Sequence, residues 1–144
     1  MELNPSWIYN QSGVIPFRFH QKELEILLIT SRRKKRWVIP KGIIEGALSP
    51  KESATKEAYE EAGVSGTVHS RMVGQYQYKK WGGICTVKVY LLEVKEIMDD
   101  WPESFFRDRE WVNISEAQKR IEEEDLRKII ASLPELVLRA RAGK

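Results

Sequence analysis

The stretch WVIPKGIIEGALSPKESATKEAYEEAGVSG, residues 37–66, joins an apolar strand-like segment to a glutamate-rich helix through a loop with two glycines. Ser49 before Pro50, with Glu52 three residues after the serine, predicts a capped helix start, and Gly63 predicts its end. Inside this helix three glutamates recur at positions i, i+3 and i+4, where like charges repel. The rest of the sequence has to indicate why the helix keeps three carboxylates so close together despite their repulsion.

The bulk composition is that of one folded domain. The chain has 144 residues, of which 42% are hydrophobic and 31% charged, enough for one substantial core but not for two. We predict a single domain over residues 1–144. The net charge of +3, from 24 Lys and Arg against 21 Asp and Glu, is too small to indicate nucleic-acid binding by itself.

Cysteine usage and the absence of long apolar runs bear on location. The one cysteine, Cys85, excludes an intramolecular disulfide, so we expect a reducing, cytoplasmic compartment. Residues 1–13 lack a basic start followed by a long apolar core, and no run approaches about 18 apolar residues. We therefore expect neither export by such a signal nor a membrane span.

Strand-like and helical patterns alternate along the chain. Pro16 in the first strand favours an edge position or a bulge. Ser115 is the predicted cap of one helix, and Pro134 interrupts a second amphipathic helix over residues 124–141. Strands are predicted at residues 12–19, 24–30, 67–80, 84–94 and 109–114. This order predicts one mixed sheet with helices packed on it.

The crowded glutamates are Glu57, Glu60 and Glu61, which an α-helix would project from one face. Hard cations such as Mg²⁺ take oxygen ligands and complete their shell with water and substrate phosphates. A carboxylate trio is thus a candidate Mg²⁺ platform, with Mn²⁺ as the second candidate. The alternative is that these glutamates are good helix formers on a solvated face.

The spacing of this stretch resembles the signature of the Nudix hydrolases, G-x5-E-x7-R-E-U-x-E-E-x-G-U, where U is apolar. The matching residues are Gly42, Glu57, Glu60, Glu61, Gly63 and Val64. The resemblance implies an α/β/α sandwich and a substrate with a pyrophosphate bond, such as a nucleoside diphosphate linked to another moiety. It also implies a metal held by Glu57, Glu60 and Glu61, with the Gly42 carbonyl as a further ligand.

The chain departs from this signature at two positions. Leu48 stands in place of the first glutamate and Lys56 in place of the arginine. In the family those side chains help to hold the loop against the helix, and lysine keeps the charge but not the forked geometry. Glu45 or Glu52 are candidates to replace the missing acid. The departures also leave an alternative function open, a Nudix-fold module that binds a polyphosphate without efficient turnover.

Segments outside the signature resemble one branch of the family. WVIPKG, residues 37–42, is similar to diadenosine polyphosphate hydrolases. Residues 89–104, VYLLEVKEIMDDWPES, followed by REWVNISEA at residues 109–117, resemble the diphosphoinositol polyphosphate phosphohydrolases. The resemblance implies hydrolysis of a pyrophosphate bond in a diadenosine polyphosphate or a diphosphoinositol polyphosphate. The expected partner is thus a small polyphosphate or nucleotide, and a capped RNA end is the one nucleic acid we retain.

Catalytic and binding roles follow from this chemistry. We predict Glu60 as the general base, acting with Glu57, and keep Glu103 and Glu110 as alternatives outside the signature. The basic run SRRKKR at residues 31–36 is a candidate anion-binding loop, or else a solvated hairpin tip. Predicted phosphate-binding residues are Arg32, Arg33, Arg36 and Lys41. Tyr76, Tyr78 and Trp81 are candidates to stack on a base, although packing is their commoner role.

Overall fold

A computed structural model describes residues 8–143 of the chain. The predicted absence of an export signal rests partly on residues 1–7, which lie outside the described residues. The strands are β1 Ile8–His20, β2 Glu23–Thr30, β3 Trp37–Val38, β4 Lys41–Ile43, β5 Val64–Val68, β6 Gly74–Lys80, β7 Gly83–Ile97 and β8 Arg109–Asn113. The helices are α1 Pro50–Glu57, α2 Ile114–Arg120, α3 Glu124–Ala131 and α4 Leu133–Ala142.

The sheet is mixed and centred on β1 and β7, which run parallel to each other. The pairings of β1 with β2 and β4, of β7 with β5 and β6, and of β2 with β3 and β8 are antiparallel. Alternate residues of the strands face opposite sides: Ile15 packs in the cluster that includes residues of α2, α3 and α4, and Val14 in the one that includes α1. The predicted α/β/α sandwich with a mixed sheet is confirmed.

Two hairpins depend on residues in the left-handed backbone region. Gln21 and Lys22 join β1 to β2 with φ values of 51° and 68°. Trp81 and Gly82 join β6 to β7 with φ values of 54° and 71°. Two positive φ values in a two-residue loop match the right-handed twist of the flanking strands. The glycine pair in the sequence is thus a valid hairpin signal. The strands predicted at residues 12–19, 24–30, 84–94 and 109–114 are confirmed, although β1 starts earlier and β7 ends later than predicted, whereas the strand predicted at residues 67–80 is divided between β5 and β6, with residues 69–73 outside both.

Of the two placements predicted for Pro16, an edge position or a bulge, the edge position is wrong. Pro16 does not lie on an edge strand, since it pairs with Leu92 of β7 in the middle of the sheet. On its other side the ladder to β4 has ended at Gly13 and the ladder to β2 begins at Phe17, a gap that accommodates a residue without an N–H.

The cap of α2 also differs from the prediction. Asn113, and not Ser115, begins this helix, because the Asn113 side-chain oxygen accepts a hydrogen bond from the Glu116 N–H at 2.8 Å. The break near Pro134 is confirmed, since α3 ends at Ala131 and α4 starts at Leu133. Over residues 8–143, no helix combines the length and the apolar character needed to cross a bilayer.

Candidate active site

The glutamate-rich segment begins as an α-helix and ends as a π-helical turn. Ser49 and Glu52 form the predicted capping box, with Glu52 N–H to Ser49 Oγ at 3.1 Å and Ser49 N–H to Glu52 Oε1 at 2.9 Å. After Glu57 the backbone widens into a π turn over Ala58–Ala62, and Gly63 ends it with φ of 66°. A single regular α-helical face, as predicted, is therefore wrong for the last turn. Such π turns are frequent at functional sites.

Gly42 and the Glu57 carboxyl are in close contact. Strand β4 pairs with β1, Ser12 opposite Gly42, and this pairing holds the glycine beside the end of α1. A Cβ atom built on Gly42 would lie 2.3–2.7 Å from the three carboxyl atoms of Glu57. Only glycine leaves room for the buried carboxyl. The structure thus brings together two residues that are far apart in sequence and that the Nudix signature links.

Glu61 is buried and surrounded by donors. Its Oε1 accepts a hydrogen bond from the Lys41 N–H at 3.3 Å and lies 3.6 Å from Arg107 Nη2. It also shares a side-chain hydrogen bond with Glu57. Burial raises the pKa of Glu61 to about 8, although Arg107 acts to lower it. Burial also raises the pKa of Glu57.

Glu60 is the most exposed of the three glutamates and faces Lys56. The Lys56 ammonium lies 3.5 Å from Glu60 Oε1 and 3.0 Å from Glu45 Oε1. Lys56 therefore joins the loop before α1 to the helix through Glu45. The half-buried Leu48, which stands in place of the signature's glutamate, has an apolar side chain and cannot supply this ion pair. Of the two candidates to replace the missing acid, Glu45 is the one that contacts Lys56, and Glu52 serves the helix cap instead.

The donor set fits a hard divalent cation. Over residues 8–143, no three carboxylate, imidazole or thiolate groups already converge as a formed metal site. The structure does bring two buried carboxyls into contact beside the Gly42 backbone, and a bound cation would offset the repulsion between their charged forms. The assignment of Glu57, Glu60, Glu61 and Gly42 as metal ligands stays a prediction.

Side chains from residues 101–109 support the π turn that carries Glu60 and Glu61, a contact that the sequence alone did not reveal. The Trp101 indole N–H donates to the Glu61 carbonyl at 3.0 Å. Arg109 Nη1 donates to the Ala62 carbonyl at 2.7 Å and its guanidinium lies over the Trp101 ring at 3.9 Å. Carbonyls at a helix end otherwise lack partners. Trp101 and Arg109 therefore hold the backbone that presents Glu61.

Arg107 connects this support to the carboxylates. The side chain is buried, and its Nη1 donates to the Thr30 carbonyl and its Nε to Glu103 Oε1, each at 2.8 Å. The Glu103 N–H in turn donates to the Glu60 carbonyl at 3.0 Å. Glu103 thus lies near the trio, whereas both carboxylate oxygens of Glu110 are bonded to Arg120.

A cleft of about 330 Å³ opens beside Gly42 and Glu61. Its basic wall comes from the predicted loop, β4 and the β6–β7 hairpin. Arg33 lies on the same exposed loop but not in the lining. Burial lowers the pKa of Lys41. The basic side chains that line the cleft are Arg32, Arg36, Lys41, Lys79, Lys80 and Arg107.

The aromatic candidates divide between packing and exposure. Tyr76 is buried in the core, and Tyr78 donates its hydroxyl to Gln11 at 2.6 Å in the cleft wall. Trp81 is 48% exposed at the hairpin tip, with the Tyr9 ring edge-on at 5.2 Å. Of the three, Trp81 alone keeps a large exposed ring surface next to the cleft.

Comparisons with known proteins agree with this geometry. The NUDIX domain profile matches residues 10–133. Nudix hydrolase 21, chloroplastic, of Arabidopsis thaliana is 39% identical over 111 residues, which cover 73% of this chain and 56% of the relative. The human diphosphoinositol polyphosphate phosphohydrolase 3-alpha is 32% identical over 118 residues, 81% of this chain and 71% of the relative. The chain thus spans little more than half the length of the plant relative.

The fold has close counterparts among solved structures. The crystal structure of C. elegans Ap4A hydrolase superposes with a TM-score of 0.76 at 20% identity and covers 91% of this chain and 99% of its own. At that identity the likeness concerns the fold. The profile and the sequence relatives therefore show the family, and the structural neighbour shows the fold.

Proposed function

The chain belongs to the Nudix family, and from that premise we propose that it hydrolyses a pyrophosphate bond in a small polyphosphorylated substrate with the help of Mg²⁺. One observation carries the proposal. The buried pair of Glu57 and Glu61, packed against Gly42, lies beside a cleft whose walls carry six basic side chains. Carboxylates that attract a cation next to side chains that attract phosphate match a metal–polyphosphate substrate.

The proposed ligands of the cation are the Glu57, Glu60 and Glu61 carboxylates and the Gly42 carbonyl. When bound, a divalent cation neutralises developing charge on phosphate oxygens and lowers the pKa of a coordinated water. Mn²⁺ has the same preference for oxygen ligands and is the second candidate.

The chain's own residues supply the base and the positioning. Glu60 is the proposed general base, because its carboxylate is the most exposed of the trio. It takes a proton from water as the water oxygen bonds to phosphorus, and the bond from phosphorus to the bridging oxygen breaks. Arg36 and Lys41 bind the phosphate oxygens, and Glu103 is the alternative base because of its hydrogen bond to the Glu60 backbone.

The substrate class is a diadenosine polyphosphate or a diphosphoinositol polyphosphate. The human relative is named for the second, and the C. elegans structure for the hydrolysis of Ap4A. The basic cleft suits both, since each substrate carries several adjacent phosphates. We propose the cytoplasm as the location, because the one cysteine, Cys85, is buried and free, as in reducing compartments.

A substrate panel tests the proposal. Purified protein is incubated with Mg²⁺ and, separately, diadenosine tetraphosphate, a diphosphoinositol polyphosphate, capped RNA and ADP-ribose, and products are separated by anion exchange. We expect turnover of at least one of the first two, reduced by more than about 100-fold in Glu61→Gln and Glu60→Gln. The matched control is Glu135→Gln, an exposed glutamate on α4 whose partner is the exposed Arg139. Binding without turnover across the panel would favour the alternative, a polyphosphate-binding module.

A further inference from the structure

An acidic run at residues 122–125 contacts the basic side of the cleft. Glu123 Oε2 accepts a hydrogen bond from Arg36 Nη1 at 2.5 Å, across 87 positions of sequence. The side chain of Glu123 is only 12% exposed. Its neighbour Glu122 lies 4.0 Å from the same nitrogen and is 66% exposed. The Glu123 carboxylate is thus largely buried and pairs with one arginine. Because it is little exposed, solvent and salt screen this charge interaction only weakly.

Arg36 is the best-placed cation of the basic loop. The Ser31 N–H donates to the Arg36 carbonyl at 2.9 Å, and the Arg36 N–H donates back to Ser31 Oγ at 3.3 Å, so the loop is closed at its base. The guanidinium lines the cleft, with Lys41 as a neighbour in the same wall. Any phosphate that binds there meets an arginine already bonded to a carboxylate.

The negative charge of Glu123 extends beyond that contact. It also acts through space on Lys41, a partly buried cation of the same wall. Two of the basic groups that face the cleft thus lose part of their attraction for an anion. Over the described part of the chain, none of the other cations named in the lining forms an ion pair with Glu122 or Glu123.

We propose that Glu123 is a specificity-determining residue, an internal counter-anion that occupies Arg36 in the free protein and weakens the binding of phosphate ligands. A ligand must offset this carboxylate to engage Arg36, so Glu123 favours ligands of high charge and eases the release of products of lower charge. The inference rests on the proposed function for its ligand class, a polyphosphate, but not on turnover.

The test measures binding of inorganic tripolyphosphate by titration calorimetry, in EDTA so that neither metal nor hydrolysis takes part. Glu123→Gln keeps an oxygen acceptor for Arg36 and removes only the charge. We expect its dissociation constant to fall roughly 3- to 10-fold relative to the unmodified chain. Glu122→Gln, the same charge change one residue away, is expected to stay within about twofold because that carboxylate is screened.

A double-mutant cycle tests whether Glu123 affects tripolyphosphate affinity through Arg36. In an Arg36→Gln background, most of the gain from Glu123→Gln should disappear. An undiminished gain in that background, an unchanged or weaker affinity in Glu123→Gln alone, or no tripolyphosphate binding by the unmodified chain would each overturn the inference. Loss of turnover in the substrate panel with these affinities as expected would overturn the hydrolase proposal only.

Thermal unfolding guards against a structural effect. Glu123 makes no side-chain cap bond to α3, so its replacement leaves the helix start intact. If Glu123→Gln nevertheless lowers Tm by several degrees, Glu123→Asp, which withdraws the carboxylate by one methylene, takes its place. The expected change has the same sign and is smaller, and the opposite sign contradicts the inference.

Discussion

The two walls of the cleft are built in different ways. The acidic wall is largely buried, and its hydrogen bonds involve backbone groups. Glu61 accepts from the Lys41 N–H, and the Trp101 and Arg109 side chains donate to backbone carbonyls of the turn that carries it. The basic wall is exposed at Arg32, and the Arg36 guanidinium in it is held by a contact with another side chain, the Glu123 carboxylate. Backbone contacts give the acidic wall one arrangement, whereas the side-chain pairs of the basic wall can exchange with a ligand.

This difference has a functional meaning. A site that holds a cation needs its oxygen ligands in one geometry, because ligands that are loosely placed lose affinity. A surface that receives and releases a polyphosphate needs charge more than geometry. The structure thus places rigidity where the chemistry is expected and adjustable charge where the ligand enters.

The largest expected effect comes from disturbing the acidic wall at Gly42. In Gly42→Ala the new methyl group meets the Glu57 carboxyl at 2.3–2.7 Å, and the buried carboxyl has to move. We expect hydrolysis to fall by more than about 100-fold and the free energy of unfolding by roughly 1–3 kcal/mol. Gly46→Ala, four residues along the same loop, is the control, since its added Cβ would meet nothing within 4 Å. Equal activities in the two variants would contradict the placement of Gly42.

Local signals predicted much of this site from the sequence. The start of α1 was predictable because Ser49, Pro50 and Glu52 act on their nearest neighbours. The hairpin at Gly82 was predictable because a two-residue loop requires positive φ. These elements depend on interactions within a few residues, and such interactions are visible in any single sequence.

Long-range contacts were not predictable in this way. Arg107 reaches Thr30 across 77 positions, and Trp101 reaches Glu61 across 40. No spacing rule links such residues, because the sheet topology brings them together. The π turn after Glu57 was not predictable for the same reason. Helix propensity alone favours a regular α-helix there, whereas the π turn is supported by the distant side chains of Arg109 and Trp101.

The second-largest expected effect is the pH dependence of stability that the buried Glu61 carboxyl causes. Glu61 has a pKa of about 8 in the folded chain against 4.5 as its ordinary value, so between these two values the folded state binds more protons than the unfolded one. The contribution of Glu61 to the free energy of unfolding is therefore fully present below about pH 4.5 and is lost as the pH rises towards 8. In EDTA we expect the free energy of unfolding to decrease by roughly 2–4 kcal/mol over that range.

Urea unfolding at a series of pH values measures this slope. Glu61→Gln cannot ionise at this position and should flatten most of the slope. A slope of the same size in Glu61→Gln would show that another group is responsible, and the burial of Glu61 would then not govern the pH dependence.

The smallest expected effect concerns the anchor that replaces the signature's acid and arginine. Lys56 already contacts Glu45 and Glu60, so the loop is not without an ion pair, although both partners of the Glu45 contact are largely exposed. We expect Glu45→Gln to lower kcat/KM only about twofold to fivefold, since exposed pairs contribute little. Glu135→Gln on α4, whose partner Arg139 is also exposed, is the matched control and should leave kcat/KM unchanged.

Restoring the signature provides the opposite test of the same anchor. Leu48→Glu with Lys56→Arg adds an acid and a forked cation, and a loop held by Glu45 should gain less than about threefold in kcat/KM from them. The same double substitution in a Glu45→Gln background should gain more, because the new glutamate then supplies the partner that the arginine lacks. A large gain with Glu45 intact would show that the contact between Lys56 and Glu45 does not anchor the loop during turnover.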